Sequence, residues 1–535
     1  MELCFRGKYN CVWNTTLYDV LNIQGAVIDC TRKDIIMKKI YKGILIGLVS
    51  GSIGISSFCF YRSHKKYKNY NEDAIYLLNF LEDNYPYFQV KKKVFNYDFL
   101  KHKDEFIEKI SKSKDDSEFF KNVDETMFCL QNGHSSISRE AYFGNNKNET
   151  EKELERKYYY WKDVENKSMY LPDVKLKYVQ GKYIVIKSKN KDIPIGSIVT
   201  KINGKEINDY IGSNREKFML FRDTKRKRGY SIFGEYRKYD DSKDTVEVFC
   251  NGIKQEKQIN YNKINNEIKA WYYSNPQYSG ENIITDKINN KAAYLRIKSF
   301  YFENPQKDKN NISDFFNNLN KDDNLIIDIR GNHGGMVEYS NFLSSFLTDK
   351  LPKYYQCIKN TKFMNERWYY LEQNISDVTI LNKETLPKNN YNLEGFNILN
   401  VESKNQPLNS RKFKGAVYVL VDGEVYSSAE KFLDSIKTLK NVTIVGTTTG
   451  GDGTGFPAID THLPKSKLII KIPPALTINE DGTVDEEVCI NPDVYIEQNI
   501  NDYSSYLKTD LKDIVQSKYD TVYNKTLNLI SKEQK

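Results

Sequence analysis

Only five of the 535 residues are histidine, and none of the eight cysteines forms a C-x-x-C pair. The cysteines (4, 11, 30, 59, 129, 250, 357 and 489) show no metal-ligand spacing, so no zinc site or other metal is expected. Most are read as small core residues. No basic run is interleaved with stacking aromatics. The net charge of +9 comes from 80 basic and 71 acidic residues mixed together, as in "KISKSKDDSEFFKNVDE". That is a solvated surface rather than a nucleic-acid face. The G-x-G-x-x-G and GKS/T spacings are missing, which argues against nucleotide binding. Internal repeats are missing too. What remains is a globular chain, 39% hydrophobic and 13% aromatic, long enough for two to four domains.

One long uncharged run is present, "GILIGLVSGSIGISSFCFY" (43–61). It has the length of a membrane-spanning helix. Lys38, Lys39 and Lys42 precede it; Arg62, Lys65, Lys66 and Lys68 follow. A cleavable signal peptide is the nearest rival, but "GISSF" is a poor cleavage site. An uncleaved single-pass anchor in the cell membrane is expected, with the rest of the chain outside the cytoplasm. Residues 1–42 are then a cytoplasmic segment or an upstream extension ahead of "MKKIYKGILIG".

Residues 73–165 carry helical stripes: Ala74, Leu77, Leu78 and Leu81; then Phe99, Phe106 and Ile110; then Phe120, Val123, Met127 and Leu130. Asn132-Gly133 is the expected stop of the last of these helices. Residues 170–262 alternate in short strands, and "IPIGSIVTKINGKEINDYI" resembles a PDZ pattern. Such a module binds a peptide by adding it to a sheet edge; a structural β-insertion without a ligand is equally compatible. From 288 to 500 strands and helices alternate: "AAYLRIKSF", "ISDFFNNL", "NLIIDIR", "VEYSNFLSSFL", "AVYVLVD", "SAEKFLDSIKTL", "VTIVG". Strands apolar on both faces imply a sheet covered by helices. Residues 501–535 form a helical tail.

Two stretches carry chemistry. "DIRGNHGG" (328–335) is a strand entering a glycine-rich turn, which exposes N–H groups to an anion or oxyanion. "VLVDGEVYSSAEKF" (419–432) is a strand, a tight turn and a helix that begins at two serines. A serine there is most often a cap.

Taken together with "VTIVGTTTGGDGTG", these stretches resemble the S41 serine peptidases, the C-terminal processing (tail-specific) and tricorn-type enzymes. The resemblance covers roughly residues 73–500. It implies an α/β catalytic domain of crotonase/ClpP-like fold, preceded by helical and PDZ-like parts. It also implies hydrolysis of protein or peptide substrates without any cofactor. In the family the nucleophile lies three residues before an acidic residue. Here that acid is Glu430, which selects Ser427 over Ser428. The Ser428 N–H with that of Gly334 or Gly335 would form the oxyanion hole. The tail-specific branch uses a lysine in the turn that here reads "TGGDGTG", and Asp452 holds its place, so a Ser-Lys pair is not expected. The tricorn-type branch uses a histidine and a late glutamate, matched by His134 in "LQNGHSSIS" and Glu486 in "EEVCINPDV". Cys489 replaces a glycine of that pattern. Gly133 stands where the branch has a serine, and Ser135 is its substitute. His333 competes as the base. His64 and His102 lie in charged contexts, and His462 opens a strand. The reading is a membrane-anchored serine endopeptidase. Its alternative is an inactive ligand- or peptide-binding protein on the same fold. Substrate and oligomeric state are not legible.

Overall fold

The structure, a computed structural model, describes residues 70–139, 141, 143, 148–231, 238–274, 280–288, 292–301, 304–320, 323–350, 353–372, 378–381, 386–401, 412–451 and 456–533. The expected anchor at 43–61 and Asp452 lie outside them. Among the described residues no helix is long and apolar enough to cross a membrane. The described residues form one compact unit.

Its centre is a six-stranded sheet in chain order: Ile283–Ile288, Ala292–Ile297, Asn324–Asp328, Val417–Val421, Val442–Gly446 and Val494–Tyr495. The first pair is antiparallel and the rest run parallel. Every residue of "VYVLV" is buried, as a strand covered on both faces requires. Alternate side chains serve opposite layers. Val417, Val419 and Val421 join Ile327, Phe342, Phe432 and Leu433 under one helical layer. Tyr418 and Leu420 join Ile326, Val522, Tyr523 and Ile530 under the C-terminal helix Thr521–Glu533. The edge strand Ile283–Ile288 precedes the point where alternation becomes visible in the sequence.

The N-terminal helices do not form a core of their own. Residues 70–84, Phe88–Phe95, Lys103–Ser111 and Asp116–Phe128 share one cluster with Cys357, Ile398, Leu476 and Ile478. Those four come from a second, antiparallel sheet ordered Val378–Leu381, Phe396–Val401, Tyr354–Lys359, Ala475–Asn479. The short strand Ser136–Ile137 also pairs with Ile469–Ile472. This draws the segment bearing His134 onto the C-terminal half of the chain. The helix before it ends at Phe128, not at Asn132-Gly133, and the left-handed residue is Gln131 at φ 53°. Gln131 tolerates that conformation because its buried amide is satisfied: Nε2 donates to the carbonyls of Phe128, Arg215 and Phe218, and Oε1 accepts from Leu220 N–H.

Between these parts in the chain, five strands make an antiparallel sheet ordered Ile253–Ile259, Asp244–Cys250, Ile198–Ile202, Lys182–Ser188, Val174–Val179. Lys205–Glu206 pairs with Ile198–Ile202, and the helix Ile207–Gly212 follows.

Candidate active site

Ser427 sits at the head of the helix Ser428–Ile436 with φ 57° and ψ −129°. For a residue with a Cβ this backbone costs of order 1–3 kcal/mol and persists only where surroundings enforce it. Here three main-chain hydrogen bonds to two other segments do so. Ser427 N–H donates to the Gly451 carbonyl at 3.2 Å, Tyr426 N–H to the Asn332 carbonyl at 3.2 Å, and Gly450 N–H to the Val425 carbonyl at 2.8 Å. The Ser427 hydroxyl makes no capping bond. Its Oγ lies 3.3 Å from His134 Nε2 instead. Ser428 is different: its Oγ is buried and makes no hydrogen bond. Glu430, fully buried, accepts from Thr449 Oγ1 and from Ile490 N–H at 3.1 Å. The acid three residues after Ser427 is therefore a brace for the first helical turn.

His134 is held from two sides. Its ring stacks on Tyr426, with centroids 5.6 Å apart. Its N–H donates to Asn132 Oδ1 at 3.0 Å, an Asx-turn contact. Ser135 Oγ donates to the same oxygen at 3.0 Å. Asn132 Nδ2 in turn donates to Glu486 Oε1. The predicted base and acid thus meet through Asn132, which the sequence reading placed only as part of a helix stop. Gly133 also has a reason: its N–H donates to Tyr426 Oη at 3.1 Å, and a Cβ there would stand 2.8 Å from that oxygen. Glu486 Oε2 pairs with Lys91, and Arg222 Nη2 donates to the carbonyls of Glu486 (3.2 Å) and Glu487 (2.5 Å). Cys489, the departure from the family glycine, has φ 50°, the left-handed conformation that glycine favours.

The glycine-rich turn packs on the serine. A Cβ on Gly334 (φ 92°) would lie 2.7 Å from the Tyr426 carbonyl oxygen and 2.9 Å from both Ser427 Cβ and Ser428 N. Gly334 N–H already donates to Asn332 Oδ1 at 2.9 Å. It is therefore committed, and of the two glycines Gly335 is the candidate donor. Ser428 N–H is a first-turn donor that no helical carbonyl can reach. Asn332, fully buried, also donates to the Ile297 carbonyl at 3.1 Å, which ties the turn to the sheet. Two residues earlier Arg330 clamps both Asp328 and Asp520. Burial pushes the Asp328 carboxyl up, but the Arg330 guanidinium outweighs it and holds the group below its ordinary range.

His333 is more than half exposed, and its Nε2 lies 3.4 Å from Glu424 Oε2. Glu424 also pairs with Lys177 at 2.9 Å. Burial opposes its charge, but Lys177 and then His333 hold its carboxyl well below the usual value. Asp422 beside it moves up, through burial and the neighbouring Glu424 charge. His462 closes the strand Ile459–His462 rather than opening one, and His102 contacts Glu105. Of the histidines described, His134 is the one within hydrogen-bond reach of the serine.

Residues 291–496 match the model of peptidase family S41. Among solved structures, mature CPAF is similar at 17% identity and a TM-score of 0.55, covering 86% of this chain and 98% of that one. Mature CPAF complexed with lactacystin gives 17% and 0.54, covering 86% and 99%. At that identity the likeness is one of fold. A photosystem II D1 C-terminal processing protease is similar at 13% identity with a TM-score of only 0.37, covering 82% and 97%. No curated protein matches the chain.

Proposed function

We propose that the chain cleaves peptide bonds with Ser427 as nucleophile and His134 as base, a reading supported by the match of residues 291–496 to the model of peptidase family S41. The observation that carries this is the uncapped Ser427 hydroxyl, held in a strained backbone 3.3 Å from His134 Nε2. A serine hydroxyl needs such a neighbour at neutral pH. Ser427 Oγ attacks the carbonyl carbon while His134 Nε2 takes its proton. The N–H groups of Ser428 and Gly335 receive the oxyanion. His134 returns the proton to the leaving amine, and water repeats the sequence to release the acyl group. Glu486 orients the base through Asn132, which contacts both Glu486 and the His134 main chain. Removal of His134 is expected to cost orders of magnitude, since such residues act as a unit.

The remaining parts of the proposal start from the sequence. The uncharged run 43–61 anchors the chain in a membrane with the peptidase domain outside the cytoplasm; protease protection in intact cells tests this. The module 174–259 acts as a PDZ-like site that receives a peptide strand, and its exposed edge strand Ile253–Ile259 supports that reading. The deciding experiment is fluorophosphonate labelling alongside peptide hydrolysis. Ser427→Ala should lose both, and Ser428→Ala should keep them. Loss with Ser428→Ala alone would move the nucleophile; no labelling of the native chain would favour a binding protein.

A further inference from the structure

Lys91, in the helix Phe88–Phe95, is only 8% exposed. Lysine is almost never buried so deeply unless paired. Its partner is Glu486: Nζ meets Oε2, while Oε1 accepts from Asn132 Nδ2. The carboxylate thus lies between a cation and the amide that fixes the His134 main chain. Its neighbour Glu487 has separate partners, Lys93 and the Tyr391 hydroxyl. Arg222 lies on the same segment but spends Nη2 on main-chain carbonyls.

We propose that Lys91 is a positioning residue for the base: it keeps Glu486 ionised and aims Oε1 at Asn132, so that His134 is held opposite Ser427. This rests on the Ser427–His134–Glu486 reading. A buried carboxylate without a counter-charge takes up a proton more readily. Protonated, Glu486 is a weaker acceptor for the Asn132 amide. While it stays ionised, loss of the lysine removes the cation at Oε2 and makes the charge on the His134 side of the pair more negative, which favours the imidazolium. Both effects move the acid limb of activity in one direction, to higher pH.

The test is the pH dependence of kcat/KM in Lys91→Met, Lys91→Gln and Lys91→Arg of the full chain. The acid limb should rise by about one pH unit or more in the Met and Gln variants. Near neutral pH kcat should fall at least tenfold while KM changes little, and Arg should restore most of the activity. Glu486→Gln/Lys91→Met removes both charges together, so its limb should return toward the native position even though its rate stays low. If Lys91→Met fails to fold, the Gln and double variants still decide. A native limb in the Met or Gln variant, with activity reduced only in proportion to folded protein, would overturn the proposal. Failure of the underlying reading has a separate signature: His134→Ala would keep its activity, or Ser427→Ala its labelling, whatever Lys91 does.

Discussion

Gly334→Ala concentrates the reasoning about the site in one methyl group. At φ 92° any L-residue pays about 1–2 kcal/mol for the left-handed backbone. The new Cβ would also stand 2.7 Å from the Tyr426 carbonyl oxygen and 2.9 Å from Ser427 Cβ and Ser428 N. None of these is the end of a flexible side chain, so relief must come from moving the turn that carries Ser427. Opening the closest contact from 2.7 Å to an ordinary 3.4 Å shifts that turn or its neighbour by about 0.7 Å. A misplacement of about 1 Å costs on the order of 100-fold in rate, equal to about 2.7 kcal/mol of barrier. Gly252→Ala is the control: φ is 82° and a Cβ there meets nothing within 4 Å. It should lose only the backbone share of that stability and no activity. The assay is kcat/KM on a fluorogenic peptide, the second-order rate of fluorophosphonate labelling, and thermal unfolding of both variants. Gly334→Ala with a rate within threefold of the native enzyme would refute the close packing of the glycine turn against Ser427.

Asn132→Ala should lower kcat by ten- to a hundredfold with the fold retained, because Glu486 loses its link to the His134 segment; unchanged kinetics would make Asn132 incidental. Cys489→Gly should be neutral or stabilising by up to about 1 kcal/mol, since φ is 50°, and chemical unfolding reads the sign. Arg330→Met strands the carboxylates of Asp328 and Asp520 in the core and should cost about 3–5 kcal/mol. Because the native Asp328 pKa is depressed, its contribution is present above its unfolded value near about 3.9 and is lost as pH falls. In Arg330→Met burial acts on Asp328 without the guanidinium, so its carboxyl takes up a proton more readily and the stability gap to the native chain should be widest near neutral pH and narrow as pH falls. In the native enzyme, kcat/KM should rise with pH through a histidine-like ionisation near about 6.5; a flat profile from pH 5 to 8 would exclude His134 as the base.

Much of the site was legible because its signals are local. "VYVLVDGEVYSSAEKF" already states strand, turn and helix: continuous apolar residues need cover on both faces, and the apolar spacing after Ser428 is helical. The offset to Glu430 singled out Ser427, although the acid proves to brace the helix at Thr449 and Ile490. The Asn132 contact with the His134 N–H spans two residues, and the run "NGH" carried that signal unread. The sheet Val378–Leu381, Phe396–Val401, Tyr354–Lys359, Ala475–Asn479 was not legible, because its last strand arrives after a long excursion of chain. Nor was the sharing of its core with the N-terminal helices.

By itself, then, the sequence determined which residues alternate, which turns hold glycine, and which serine precedes an acid by three. Only the tertiary structure decided the positive φ of Ser427, because two distant segments, at Asn332 and at Gly450-Gly451, enforce it. Only it committed the Gly334 N–H to Asn332. Only it joined Lys91 to Glu486, 395 positions apart. Local periodicity encodes which face of an element is buried. It does not encode which distant element covers that face, and a buried charge finds its partner only once the chain has closed.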